Sequence, residues 1–386
     1  MKKLEEKKYR FFIILIIFLI LILSLAYFFW IRKDMTDFGV CYEGGKRILL
    51  GETLYRVSDG HLQYKYSPPS ALFLSFFALF PYEMAKILWY VLEFFLLFFI
   101  FSISLKILPS KEKKRGVLIG FSLLILTKFL GREIELGQVN IFIIFVLTWM
   151  IEALLEEKEI KAGALWGISL FFKPYALVFF PYFLLKKKFK LIAAGIGVVL
   201  AGFAAPAIFY GFKGNLLILK EWQTSLSQST PRLVASYDNA SLYSFLLKVF
   251  PGQNKELIIL ILSLIFLVLA FSFLWMMKVA KAKAMEKAEV LEASYLFILI
   301  PLFSPLGWYY NYLYSILAVI LLLNCIERFP SFLKYGLIAN FIIIGGTLRE
   351  TLGKELFRFY TQNSLLVINY LIVLFYLFYL RVKKYS

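Results

Sequence analysis

Asp37 is the acid in this chain best placed to do chemistry. It follows an apolar run, Phe11 to Ile31, after only a few residues, and it precedes Phe38 to Leu50, where apolar residues are interleaved at helical spacing with Glu43, Lys46 and Arg47. A carboxylate held beside such an amphipathic helix at a membrane surface can serve as general base for a hydroxyl. An aspartate just before a helical pattern also caps the helix, and Asp34 is the near alternative for either role. A second cluster, GREIELGQVN (Gly131 to Asn140), sets Arg132, Glu133, Glu135, Gln138 and Asn140 between two apolar runs. Carboxylates and amides bond in fixed directions, so this cluster suits sugar hydroxyls, and it suits a solvated turn between helices equally well.

Glu93, Lys128 and Lys173 fall inside apolar stretches, where ionisable groups are costly and therefore functional by default. Lys173 precedes Pro174 midway through Ala162 to Leu185, at a break where a cation can meet a lipid phosphate or a carboxylate. Glu93 has a plainer reading, an ion pair with Lys86 or Lys128. Tyr64 and Tyr66 lead into two prolines (YKYSPPS), as interfacial belt residues or as walls for a sugar or isoprenoid. His61, the only histidine, has no Cys or His cluster beside it, so no metal site is expected. Asn239-Ala240-Ser241 is formally an N-glycosylation acceptor. There is no GxxxxGK[ST], GxGxxG or GxSxG, which argues against nucleotide-driven or serine-hydrolase chemistry. A reaction here would use a substrate that carries its own activation.

The elements that position these residues are helices in a bilayer. The 386 residues are 61% hydrophobic and 19% aromatic, with mean hydropathy +0.77, more apolar surface than a soluble domain can hide. Runs of about 20 apolar residues, enough to span, recur at Phe11 to Ile31, Leu191 to Phe212, Leu257 to Met277 and Phe359 to Leu380, with shorter or broken runs between. About ten crossings, or 10–13 membrane segments counting partial ones, are expected in one all-α unit over residues 1–386. The net charge of +18 marks topology and not nucleic acid: with the amino terminus inside, more than half of the 43 Lys and Arg fall in short inner segments. The outer loops are then Arg32 to Ser67, the short Gly131 to Asn140, and Phe212 to about Lys255. Two stretches, Pro68 to Phe80 and Ala162 to Leu185, must not cross simply, and are expected as broken or re-entrant pairs. Phe11 to Trp30 superficially looks like a secretory signal, but its core is long and many spans follow. Cys41 and Cys325 fall on opposite faces, so no disulfide is expected.

The order of motifs resembles that of the multi-spanning glycosyltransferases of the GT-C class. Asp37-Phe38 after the first span, G-x-x-x-Y (Gly51 to Tyr55) and Y-x-Y-x-P-P (Tyr64 to Pro69) come first. GQVN (Gly137 to Asn140), AG-x-L-x-G-x5-K-P (Ala162 to Pro174), DNASL (Asp238 to Leu242) and SPLGWYYN (Ser304 to Asn311) follow in matching sequence. More narrowly, the chain resembles glycosyltransferase family 87 (DUF2029), which includes polyprenol-phosphate-mannose-dependent mannosyltransferases. The chain departs from that pattern at Tyr309, Tyr310 and Asn311, where relatives often carry histidine.

The resemblance implies a GT-C-like helical bundle with a cavity open outward and to lipid, and Asp37 as catalytic base. It implies a hexose, mannose foremost, moved from a polyprenyl phosphate to a lipid or glycan hydroxyl on the non-cytoplasmic side of the cell membrane, with inversion. Lys173, Arg132 and then Arg47 are the expected partners of the donor phosphate. Glu135, Gln138, Asn140 and Asn239 are expected to line the sugar pocket, Tyr64 and Tyr66 its mouth, with Tyr310 and Asn311 as polar substitutes for histidine. No cofactor is implied, the lipid-linked sugar being a substrate; the partners are that donor, the acceptor and membrane lipids. The competing class is a multi-pass transporter or lipid flippase, for which broken helices and buried charges speak as well.

Overall fold

The computed structural model describes residues 21, 23–283 and 285–383. The basic amino-terminal segment and about half of the first apolar run, Phe11 to Ile31, lie outside the described residues.

The described chain is all helix, without a strand. Helix α1 (Thr36–Leu49) carries Asp37 in its first turn. Its buried positions, Phe38, Cys41, Gly45 and Ile48, recur at helical spacing, and they face protein: the Phe38 ring lies 5.9 Å from Phe77 and 5.4 Å from Trp89. The amphipathic helix expected here is present, and its apolar face packs onto the bundle. Helix α2 (Pro68–Leu74) starts on two prolines, which are tolerated only in a first turn, and passes into a 3-10 turn at Phe77–Leu79. Pro68 to Phe80 is thus broken, as expected, and too short to cross.

Helix α3 (Tyr82–Ile107) runs 26 residues, about 39 Å at 1.5 Å per residue. Helix α4 (Arg115–Leu136) continues through what reads in sequence as an outer loop and stops at Gly137. There the Gln138 N–H bonds to Glu133 O at 3.0 Å and the Gly137 N–H to Ile134 O at 3.1 Å, the paired bonds of a Schellman cap, with Gly137 at φ +64°. Helix α5 (Asn140–Leu155) leaves at 119°. Helix α6 (Glu159–Phe172) ends where Pro174 forces Lys173 into extended backbone (φ −144°, ψ 132°), and a 3-10 turn at Pro174–Val178 leads into α7 (Phe179–Leu185). The break expected at Lys173-Pro174 is present.

Helix α8 (Phe189–Ala204) packs tightly on α6 through small residues: a Cβ on Gly163 would sit 2.2 Å from Leu191 O. The expected third loop is helical too, as α9 (Ala207–Leu233), kinked at Gly211, and α10 (Leu242–Val249), capped by the Ser241 hydroxyl. Helices α11 (Lys255–Ala282), α12 (Ala288–Phe303), α13 (Ile316–Asn324), α14 (Ser331–Gly346), α15 (Arg349–Gln362) and α16 (Leu366–Val382) complete the bundle, with a 3-10 turn at Tyr309–Ser315 before α13. One apolar core runs from Met35 to Leu380, and α12 and α13 sit deepest in it.

Among the described residues, two helices, α3 and α11, are long and apolar enough to cross a membrane, or up to five spans if each of three bent pairs counts as one. The apolar runs suggest more crossings because many of them fold as shorter helices, such as Pro174–Leu185, Tyr309–Asn324 and Leu366–Val382, or bend sharply. Phe95 and Phe98 on α3 and Leu267, Val268 and Phe271 on α11 are exposed, an apolar exterior that only lipid tolerates. The expected pairing of Glu93 with Lys86 or Lys128 is not formed. Lys86 bonds to Arg32 O and lies 3.5 Å from Glu83; Lys128 bonds to the Thr347 hydroxyl and lies 5.0 Å from the Phe129 ring centre. Both Glu93 oxygens are buried without a hydrogen-bond partner among the described residues. Cys41 and Cys325 are free thiols.

Candidate active site

Four irregular joints converge: the start of α1, the Gly137 turn, the Lys173-Pro174 break and the Tyr309–Ser315 turn. Gly137 joins the first two. An added Cβ there would lie 2.6 Å from Phe38 Cβ, and the Met35 N–H bonds to Glu135 O at 2.8 Å. Glycine is therefore required twice over, for positive φ and for close approach.

Asp37 does not cap α1: Met35 holds the cap position, with no side-chain cap bond. Its Oδ2 instead accepts a hydrogen bond from Gln138 Nε2. Gln138 Oε1 accepts from Tyr66 Oη at 3.1 Å and from Lys173 Nζ at 3.4 Å. Lys173 Nζ also donates to Asn140 Oδ1 at 2.8 Å. Asn140 Nδ2 donates to Glu133 Oε1 and, at 3.1 Å, to Asn311 Oδ1, and the Tyr314 hydroxyl reaches Asn140 Oδ1 at 3.4 Å. Glu133, Asn140 and Asn311 are fully buried and form a floor, over which Asp37, Lys173 and Tyr66 remain partly open.

Burial pushes the Asp37 carboxyl above its ordinary range. The Gln138 hydrogen bond and the charges of Lys173, Arg132 and Lys65 pull it back only in part. Lys65 is held low by burial, with the Asp37 charge opposing that shift. A partly buried carboxylate with a raised pKa, one oxygen oriented by an amide and cations at hand, is equipped to accept a proton beside a developing anion.

Of the residues expected from sequence, Asp37, Gln138, Asn140, Lys173, Tyr66 and Asn311 come together. Tyr310 is buried close enough to Asp37 and Glu133 to feel their charge, and its hydroxyl makes no hydrogen bond among the described residues. Arg132 stays close enough to act on Asp37, while pairing with Glu135 at 2.7 Å; both are partly exposed, so Glu135 meets solvent and a guanidinium first. Three others are engaged elsewhere. Arg47 bonds to both oxygens of Asp59 and to Leu54 O, pinning the loop that follows α1. Tyr64 is fully buried, with its hydroxyl 2.7 Å from Ser70 Oγ and Gly44 against its ring. Asn239 is a buried latch: Nδ2 donates to Val234 O and Pro305 O, and Oδ1 accepts from the Ser241 N–H. Arg47 and Tyr64 serve structure because the face of α1 that carries Arg47 and meets the Tyr64 ring packs inward, and Asn239 because it ties the segment before α10 to Pro305.

Sequence reasoning missed Lys65 and Tyr314, and gave Glu133 no separate role. Nothing local distinguishes Lys65 from a surface lysine; Tyr314 had one signal, the tyrosines recurring at 309, 310, 312 and 314 inside an apolar segment. Among the described residues, no three His, Cys, Asp or Glu side chains gather to hold a metal ion.

An all-helical, multi-pass bundle whose broken helices bring an acid, a lysine and two amides into one partly open cluster defines a membrane protein built around a polar cluster. Residues 64–305 match Glycosyltransferase family 87, and the chain belongs to that family. No curated protein sequence matches it. The chain is therefore a transferase that takes a sugar donor and an acceptor. The matched span holds Gln138, Asn140 and Lys173, whereas Asp37 and Asn311 lie outside it and reach the same cluster only through the fold.

Proposed function

We propose that this enzyme moves a hexose, mannose foremost, from a polyprenyl phosphate to a hydroxyl of a lipid or glycan acceptor on the non-cytoplasmic side. Asp37 takes the acceptor proton as the hydroxyl oxygen attacks the anomeric carbon. The bond from that carbon to the phosphate oxygen breaks on the opposite face, its electron pair leaves with the polyprenyl phosphate, and the configuration inverts. Lys173 meets the charge that grows on the leaving phosphate, in a setting of low dielectric where a fixed cation is worth most. Arg132 and Lys65 extend the positive rim, Tyr66 walls the mouth, and Gln138 orients the base. The polyprenyl-phosphate donor and the lipid or glycan acceptor are supported by membership of family 87 and by the missing nucleotide-binding motifs, and the orientation by the positive-inside charges, which would put Asp37 on the outer surface.

The observation that carries this reading is the Asp37 carboxylate held by Gln138 one amide away from the Lys173 ammonium. Purified protein incubated with radiolabelled polyprenyl-phosphate mannose and extracted membrane lipids is expected to yield a labelled lipid or glycan, and Asp37→Asn to yield about 100-fold less or below. Transfer by Asp37→Asn at the wild-type rate would remove Asp37 as the base. Transfer only from a panel member other than mannose would correct the sugar.

A further inference from the structure

Glu133 is fully buried at the floor of the site, and the mechanism above gives it no task. Its carboxyl Oε1 accepts from Asn140, and its Oε2 has no partner among the described residues. A carboxyl kept in such a place at a desolvation cost invites a reason.

The reason lies in Asn140, whose amide has two distinguishable ends. Both Nδ2 hydrogens are used, towards Glu133 Oε1 and towards Asn311 Oδ1 at 3.1 Å. Asn311 is itself turned by its Nδ2, which donates to Leu306 O at 3.3 Å. With its nitrogen so committed, Asn140 must aim Oδ1 at Lys173 Nζ, 2.8 Å away. Flipped, the amide would set an NH2 group against an ammonium and a carbonyl against two acceptor oxygens. Charged or protonated, Glu133 still presents an acceptor oxygen here, so the orientation does not depend on its ionisation. Gln138 does the same from the other side, its Nε2 going to Asp37 and its Oε1 to Lys173.

Two amides thus hold the lysine between two acids without a direct Lys173–Asp37 ion pair. Of the three ammonium hydrogens, two are taken by Asn140 and Gln138, which leaves one for a ligand. We infer that Glu133 is a positioning residue that acts through Asn140 to hold Lys173 on the donor-phosphate side of the site, away from Asp37. This rests on the donor-phosphate role of Lys173 in the proposed reaction.

Glu133→Gln offers an amide that can present its NH2 end, so Asn140 is free to turn and Lys173 to move towards Asp37. Its expected effect is a KM for polyprenyl-phosphate sugar about 10-fold higher, with the acceptor KM within twofold of wild type. Binding of farnesyl phosphate, which carries the leaving phosphate without sugar, should weaken by a similar factor. Glu133→Asp should recover part of the loss, and the double variant Glu133→Gln with Lys173→Met should bind farnesyl phosphate no worse than Lys173→Met alone. Melting temperatures accompany each measurement, and Glu133→Asp carries the test if Glu133→Gln does not fold. Additive losses in the double variant, or equal rises in both KM values, would overturn the inference, as would unchanged farnesyl phosphate binding in Glu133→Gln. If wild type transfers no sugar yet binds farnesyl phosphate in a Glu133-dependent way, the proposed reaction fails and the positioning role stands.

Discussion

At the residue scale, the site balances the Asp37 carboxylate against several cations, and the sign of that balance is measurable. Burial raises the Asp37 carboxyl above its ordinary value, so its proton is held more tightly in the folded than in the unfolded chain. Folding stability from this group is therefore present at low pH and lost as pH rises from the ordinary carboxylate range through the raised folded value. Ionised Asp37 is thus a cost at neutral pH, and Asp37→Asn should melt no lower than wild type while losing transfer. The pH profile follows the same sign. The acid limb of kcat/KM should lie above the ordinary aspartate range, and Lys173→Met should push it higher still, because the ammonium is one of the charges that hold the carboxyl down. An acid limb that stays fixed in Lys173→Met would mean that the two groups do not communicate.

At the scale of elements, function resides in joints. The Gly137 turn has α1 pressed onto it, so Gly137→Ala meets two penalties, left-handed backbone of about 1–2 kcal/mol and a collision with Phe38. We expect a lower melting temperature together with a fall in kcat, since α1 must lift and carry Asp37 from Gln138; a drop in stability alone would show that the joint serves only the fold. The Lys173-Pro174 break makes a different prediction. Pro174→Ala removes the restraint that keeps Lys173 out of helix, so α6 can extend and rotate the ammonium off Asn140. Stability should change little and the donor KM should rise. The Arg47–Asp59 pair belongs to the loop that follows α1, so Arg47→Ala should cost about 1–3 kcal/mol of stability, read by thermal melt, and leave the donor KM near wild type.

At the scale of the molecule, the bundle wears its apolar side chains outward and gathers its polar ones at the joints, the arrangement a bilayer selects. Orientation is open to a direct assay, because both native cysteines are only 1% exposed and contribute little background labelling. A cysteine placed at the exposed Val57 should react with a membrane-impermeant maleimide in intact cells, and one at Lys111 only after lysis. The reverse pattern would put the Asp37 site on the cytoplasmic side.

The sequence by itself determined the all-helical membrane class, the family, the break at Lys173-Pro174 and most members of the site. Each of these is written locally, in apolar run length, in a proline that bars helix, or in short motifs such as GQVN and YKYSPP. It could not determine which face of α1 turns inward, because docking on lipid and docking on protein need the same periodicity. It was silent on Lys65 and on the work of Glu133, since a charged residue becomes a partner only when distant joints are folded together. For the same reason Asp37 read as a cap as readily as a base. Only the tertiary structure, by placing Met35 at the cap and Gln138 against the carboxylate, took Asp37 out of the capping role.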